Sequence, residues 1–346
     1  RLEIIDERDH VAGNCHTLRD QDTGIMLHAH GAHIFHTDNE NVWSFVNRFG
    51  EFEPYPHKVK TVSRGLVYSL PLNLLTINQF FGLALSPGEA AAHLRVLSDQ
   101  TITDPGNFEE QALAFLGEEL YRAFFYGYTK KQWGREPREL PAGLLSRLPV
   151  RFNYDDGYFN SRHQAVPRLG YTALVEKMLD HPDLKVRLET VYDDSMRAGY
   201  DHIFYTGPLD RFFDFAQGRL PYRTLDFERF DEEGDHQGCA VMNYADPEIP
   251  YTRIIEHKHF SVWENFKTTV CFREKPRECL AGDIPYYPIS FAGDNALLNR
   301  YQSLAALEKN MTFAGRLGGF KYLDMDAAVA EGLRIADNFA RDARLA

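Results

Sequence analysis

Leu2-Glu3-Ile4-Ile5-Asp6 is a short apolar run that ends in an acid, the pattern of a parallel strand buried on both faces whose carboxyl end meets a ligand. In a dinucleotide fold the acid that bonds the adenosine ribose closes the second strand, about 20 residues after a glycine-rich turn. No such turn stands before Arg1 in this sequence. The far end repeats the alternation, with a helix expected over 296–307, a strand over 311–314, Gly315, and a helix over 325–340. The two ends therefore suggest one α/β nucleotide domain, with the middle of the chain inserted into it.

Between the ends, an Asp38 cap and Val42, Phe45, Val46 and Phe49 at helical spacing predict a helix stopped by Gly50. Runs 59–64 and 66–70 flank Gly65 as a hairpin. Ser86-Pro87-Gly88-Glu89 is a capping box that opens a helix through Leu97, and Asn107 caps a helix over 108–116 that resumes over 118–125. A polar, glycine-bearing segment, 127–141, is expected to interrupt this helical region. Strand-like runs follow at 185–188, 202–205, 223–230, 239–243, 252–257 and 269–272, a mixed sheet region.

With 38 Lys and Arg against 50 Asp and Glu, the formal charge of -12 disfavours a general nucleic-acid or anionic-membrane surface, so local arginines must hold any anionic ligand. No apolar run approaches the roughly 20 residues of a membrane span, and no signal-peptide core opens the sequence. Cys15, Cys239, Cys271 and Cys279 lack C-x-x-C spacing and read as reduced thiols. A cytoplasmic protein is expected.

Asp6, Gly13 and Asn14 follow a strand, where glycine lets backbone approach a cofactor, although an ordinary strand and turn would look the same. The 311–324 unit adds weight, because strand, Gly315-Arg316 and helix start would aim backbone N–H groups and a guanidinium at a phosphate or flavin edge. His28, His30, His33 and His36 crowd together, but no acid or Cys lies among them, and His28 and His30 would share one strand face. No metal is expected there. Phe124, Phe125, Tyr126, Tyr128 and Trp133 gather with Arg147, and Tyr158 and Phe159 with Arg162. Most such aromatics are core residues, yet aromatic faces with arginine forks also suit a nucleotide-sugar. Arg253, Ile255 and His257 alternate on one face of a strand, as a solvated edge would also do. No G-x-S-x-G elbow, P-loop lysine or H-E-x-x-H is present to anchor a hydrolase or kinase.

Six pieces in order resemble the prokaryotic UDP-galactopyranose mutases: 31–37 (GAHIFHT), 128–134 (YTKKQWG), 148–152 (LPVRF), 250–260 (PYTRIIEHKHF), 284–289 (IPYYPI), and Gly315-Arg316-Leu317 with 322–325 (YLDM). The likeness covers nearly the whole sequence. Two departures stand out: the family's opening strand and G-x-G-x-x-G turn, and its Gly-Gly-Asn, which here reads Ala12-Gly13-Asn14. An alanine there costs little if its φ is negative.

The resemblance implies an α/β fold: a Rossmann-like FAD-binding domain, incomplete at its N-terminus, over 1–56 and 290–346 with part of 182–210. A helical insertion would span 74–150 with a mobile lid over 127–141, and a mixed antiparallel sheet domain for substrate would span 57–73 and 151–289. It implies non-redox interconversion of UDP-galactopyranose and UDP-galactofuranose by covalent catalysis on reduced FAD, for galactofuranose and cell-wall polysaccharide synthesis. By position, Asp6, Gly13, Asn14, His33, Ile34, Gly315, Arg316, Asp324 and Met325 would line the cofactor. His57, Phe124, Tyr128, Thr129, Trp133, Tyr158, Phe159, Asn243, Tyr287 and Tyr322 would line the substrate, and Arg147 and Arg253 would hold the diphosphate. Arg147, Arg253 and His33 are the catalytic expectations. UDP, a homo-oligomer of two or more copies, no nucleic acid and no metal complete the picture. An amine-oxidase-like flavoprotein and a non-catalytic flavin or nucleotide-sugar module remain the alternatives.

Overall fold

The computed structural model describes residues 1–147, 150–292 and 295–345, and of 146–147 and 343–345 the backbone alone. Leu2–Ile5 runs parallel to Leu184–Arg187, and Ile203–Tyr205 runs parallel to Met311–Phe313. Strands from distant parts of the chain are thus paired side by side, as a doubly wound α/β domain requires. The long helix Met325–Leu345 follows, and its Met325 and Val329 pack with Phe35, Val42 and Tyr171.

The helix of the first segment begins one residue later than Asp38 suggests. Asn39 caps Glu40–Val46 by accepting from the amides of Asn41 and Val42, while Asp38 accepts from the Arg162 amide instead. It also ends at Val46, before Gly50, where Arg48 and Phe49 close it with tighter bonds back to Phe45 and Val46.

A seven-stranded sheet forms the middle of the molecule, in the order Tyr287–Pro288, Tyr222–Glu233, Thr268–Glu278, Arg253–Glu256, Val241–Tyr244, Val59–Ser63, Leu66–Leu70. Every neighbouring pair is antiparallel except Val241–Tyr244 with Val59–Ser63. Arg253–Glu256 therefore lies inside the sheet, and Ile254, Ile255 and Glu256 are all buried. The strand stops there and His257 opens a short helical turn, so the expected face shared by Arg253 and His257 is absent, and so is the alternative of a solvated edge.

Helices Leu74–Phe81, Pro87–Leu97 and Phe108–Leu116 cover the Leu66–Leu70 end; Asn73 caps the first, and the Ser86/Glu89 box and Asn107 cap the other two as the sequence suggests. Leu94, Ala112, Leu116, Leu120 and Tyr121 meet Tyr68, Leu70 and Leu72 in one apolar cluster. The expected interruption at Gly127 does not occur. A six-residue π-helical stretch, Tyr121–Tyr126, leads straight into an α-helix, Gly127–Trp133, that ends at Gly134 in the left-handed region (φ +62°). Gly127 is required by close approach, since a Cβ there would collide with the Ala245 carbonyl and lie 3.0 Å from Pro247 Cδ. Among the described residues no helix is long and apolar enough to cross a membrane.

Candidate functional site

Antiparallel pairing sets Asn243 opposite Arg253, and Arg253 opposite Glu274 on the next strand. Arg253 Nε lies 3.0 Å from Glu274 Oε1, and Glu274 is 1% exposed. Burial pushes the Glu274 carboxyl above the usual carboxylate range and Arg253 offsets this only in part; the guanidinium, drawn by Glu274 against its own desolvation, stays charged. Tyr128, Tyr158 and Tyr287 stand near Arg253. Burial raises the phenols of Tyr128 and Tyr287, so both are protonated donors at neutral pH.

Around this pair the aromatics converge. Tyr287 stacks on Tyr322 at 5.6 Å between centroids, and Trp133 tilts against both at 6.2 and 6.1 Å. His57, 4% exposed, meets Tyr158 edge-on and stacks with Phe159, which in turn stacks on His36. Burial, then the charge of Arg253, hold His57 down at about 3. Thr129 is buried on the Tyr128 helix. Asn243 Oδ1 and His57 Nδ1 are buried with no protein partner. Such atoms are paired in stable sites, which makes them places for a ligand to bond.

Phe124 does not join this group: its ring contacts are with Tyr68 and Phe80 in the helical core, at 4% exposure. The π-helical stretch sets which residues of 121–128 face inward, and spacing in the sequence cannot reveal an extra residue per turn. Arg147 closes the helical turn Ala142–Arg147, and its side chain, like Leu148 and Pro149, lies outside the described residues.

At the chain's two ends the sites read differently from expectation. The Gly315 amide opens the four-residue helix Gly315–Gly318 and donates to Glu331 Oε2 at 2.8 Å, so this donor is already used within the protein. Arg316 donates to the Leu323 carbonyl and, at 3.1 Å, to the Tyr286 carbonyl, while its guanidinium covers Tyr287 and Tyr322. It braces the aromatic cluster instead of pointing freely at an anion. Asp324 begins the turn into the long helix, its carbonyl accepting from Ala328, and Ile34 is 7% exposed in the core.

Ala12 has φ +73°, so the condition under which alanine would cost little is not met. Gly13 follows at φ +53° with open space around it. Asp6 accepts from the Arg8 amide, and Arg8 Nη2 donates to Asn14 Oδ1 at 2.9 Å. Arg8 Nη1 is buried without a partner, and so is His30 Nε2, whose other ring nitrogen meets the Tyr286 hydroxyl. A dinucleotide fits here: a carboxylate for a ribose, glycine backbone, and a cation with unused donors for a pyrophosphate.

His28 ends the strand Met26–His28 and His30 lies beyond it, so the two do not share a strand face. His28 Nδ1 accepts from the His33 amide, and His33 Nδ1 meets the Gly31 carbonyl at 2.7 Å. Burial lowers His33 and His30 to about 4, leaving neutral rings. Among the described residues the one acid-and-histidine group with metal-like spacing is Asp235, Glu256 and His259, away from these histidines, and there the Lys258 ammonium already sits 2.6 Å from Asp235.

Arg8 and Glu274, which contact candidate site residues, and Lys131 and Arg223, which anchor the Tyr128 helix, are residues that the sequence reading missed. Arg8 could have been suspected from its place two residues after Asp6; the others depend on strand register and helix packing, which leave no spacing signal.

Parallel strand pairs with a dinucleotide-type crevice, joined to a mixed sheet with an arginine-aromatic pocket, define an α/β nucleotide-binding protein of the two-domain flavoprotein class. Residues 1–49 match the NAD(P)-binding Rossmann-like domain and residues 123–322 match the UDP-galactopyranose mutase family. A probable UDP-galactopyranose mutase of Klebsiella pneumoniae is 55% identical over 98% of this chain and 88% of its own length. A dTDP-fucopyranose mutase of Escherichia coli is 50% identical over 99% and 93%. A solved structure of reduced UDP-galactopyranose mutase superposes with a TM-score of 0.75 at 16% identity, covering 97% of this chain and 88% of that one. The chain belongs to the UDP-galactopyranose mutase family. It is an isomerase, and the family implies a flavin cofactor and a nucleotide-sugar substrate.

Proposed function

We propose that the protein interconverts UDP-galactopyranose and UDP-galactofuranose with FAD in its reduced form, in the cytoplasm, as a homo-oligomer. The observation that carries the reading is the charged, half-buried Arg253, paired with the buried Glu274 and register-paired with Asn243, beside Tyr128, Tyr158 and Tyr287. A diphosphate needs a desolvated cation with hydrogen-bond donors around it, and a sugar needs aromatic walls; this pocket supplies both.

Asp6, Arg8, Gly13 and Asn14 would hold the adenosine diphosphate half of FAD, and His33, Ile34, Asp324 and Met325 its isoalloxazine and ribityl part, braced by Gly315 and Arg316. When bound, reduced FAD supplies a nucleophilic ring nitrogen for covalent catalysis at the anomeric carbon. The chain's own residues do the rest. Arg253, with Arg147, binds the diphosphate and stabilises the charge that grows on UDP as it departs. Tyr128, Thr129, Tyr158, Phe159 and Asn243 frame the nucleoside; Trp133, Tyr287, Tyr322 and His57 surround the sugar and exclude water that would hydrolyse it. Phe124 packs on Tyr68 and Phe80 in the helical core and takes no part in this wall. His33, neutral at physiological pH, can offer a hydrogen bond beside the cofactor without adding a cation.

The 50% identical dTDP-fucopyranose mutase favours a second reading, in which the same site takes dTDP-fucose. Chromatographic assay of both nucleotide-sugars with dithionite-reduced enzyme decides between them. Furanose product from UDP-galactose alone supports the first reading; turnover of dTDP-fucose alone replaces it. Oxidase turnover of an amine without added reductant would overturn both.

A further inference from the structure

Helix Gly127–Trp133 carries Tyr128, Thr129 and Trp133, while the turn 245–252 joins the strand that ends Asn243-Tyr244 to the strand that starts at Arg253. These are the two walls of the nucleotide pocket. Lys131 reaches from the helix into the turn, and its ammonium donates to the carbonyls of Tyr244 (2.8 Å), Asp246 (2.8 Å), Ile249 (3.1 Å) and Tyr251 (3.0 Å). We propose that Lys131 is a positioning residue for the substrate site, its ammonium holding the two pocket walls in register by gathering four carbonyls of the turn between Asn243 and Arg253.

The geometry has three parts. An ammonium has three N–H donors, so four carbonyls within 3.1 Å surround it as a cage around a cation, a stronger arrangement than neutral donors could make. Gly127, one helical turn earlier on the same face, allows the helix backbone to press against the Ala245 carbonyl and Pro247. At the other end of the helix Arg223 donates from Nε to the Gln132 carbonyl at 3.0 Å and from Nη2 to the Lys131 carbonyl at 3.1 Å, pinning the helix to the long sheet strand. Helix, turn and sheet are thus tied on three sides. The Lys131 ammonium bonds the carbonyls of the turn and acts on Asn243 and Arg253 through the turn that joins them.

The inference rests on the proposed placement of Asn243, Arg253 and Tyr128 around a nucleotide diphosphate. The test uses flavin-loaded, dithionite-reduced enzyme and compares wild type, Lys131→Met, Asn243→Ala and the double variant, reading kcat, KM for UDP-galactofuranose and the UDP dissociation constant. Lys131→Met is expected to raise KM and the dissociation constant on the order of tenfold while kcat changes less, because binding geometry and not the reacting centre is disturbed. Asn243→Ala is expected to cost little more in that background than Lys131→Met alone, since its carbonyl oxygen is already misplaced. Unchanged KM and UDP affinity in a folded Lys131→Met enzyme overturn the proposal, as does full additivity with Asn243→Ala. If Lys131→Met does not fold, Lys131→Gln, which keeps two donors and loses the charge, is expected to show the same split at smaller amplitude; wild-type KM in that variant overturns it. Failure of the wild type to bind UDP instead removes the underlying site assignment, which separates the two.

Discussion

Arg253 Nε and Glu274 Oε1 lie 3.0 Å apart on neighbouring strands of the central sheet, an ion pair whose carboxylate is buried and whose half-buried guanidinium stands beside tyrosines. Removing one partner of such a pair strands the other charge, which is why its loss costs far more than a surface bridge. Gly31 belongs to the same contact: a Cβ there would lie 3.6 Å from Glu274 Oε2, so the loop that carries His33 rests against the carboxylate. The residues proposed for the cofactor side and those proposed for the substrate side meet at this point.

Arg253→Ala should reduce kcat/KM by on the order of 2–4 kcal/mol, the range for losing a charged donor that acts on a developing anion. Arg253→Lys should recover only part, since a point charge replaces a fork. Steady-state kinetics with reduced enzyme provide the measurement, and Arg147→Ala is expected to behave alike. Wild-type turnover with unchanged UDP affinity in either alanine variant would remove that arginine from the site.

Ala12→Gly should stabilise the protein by about 0.5–1 kcal/mol, because alanine at φ +73° bears a steric cost that glycine lacks, less the extra entropy glycine loses on folding. Urea unfolding of the two proteins side by side reads the difference. A lower denaturation midpoint for the glycine variant would show that the strain is relieved in some other way.

Acid should destabilise the fold well before carboxylates titrate. Burial lowers His33 and His30 to about 4, and His57 and His257 to about 3, from an ordinary value of 6.5. The unfolded chain therefore binds more protons between these limits, so this contribution to stability is complete above pH 6.5 and is lost as pH falls through about 4 toward 3. Thermal unfolding midpoints from pH 7.5 to 4 should decline, and His57→Gln should flatten the decline relative to wild type once its own baseline cost is subtracted. A midpoint independent of pH across this window would contradict neutral buried histidines.

Trp133 should report ligand binding, because its indole stands against Tyr287 and Tyr322. In a Trp43→Phe, Trp263→Phe background, UDP should change Trp133 emission. Protection of 134–141 from protease on adding UDP would place the movable part beyond the anchored helix Gly127–Trp133; cleavage that ignores UDP would leave no lid in this segment.

Caps, turns and strand runs were legible because they depend on neighbours a few residues apart: the Ser86/Glu89 box, Asn107, the Gly65 hairpin and the strand that ends at Asp6 all formed where local chemistry demanded. The order of six motifs was enough for the family, since each motif is a local string. Contacts between segments were not legible. Whether Arg316 points at an anion or braces two tyrosines, whether Gly127 is a hinge or a close approach, and which carboxylate faces Arg253 are settled by strand register and helix packing, where one residue of slip reverses a face. Sequence by itself determined the elements and the kinship; tertiary structure alone decided which charges are buried together, because desolvation and pairing act through space between residues that spacing along the chain does not relate.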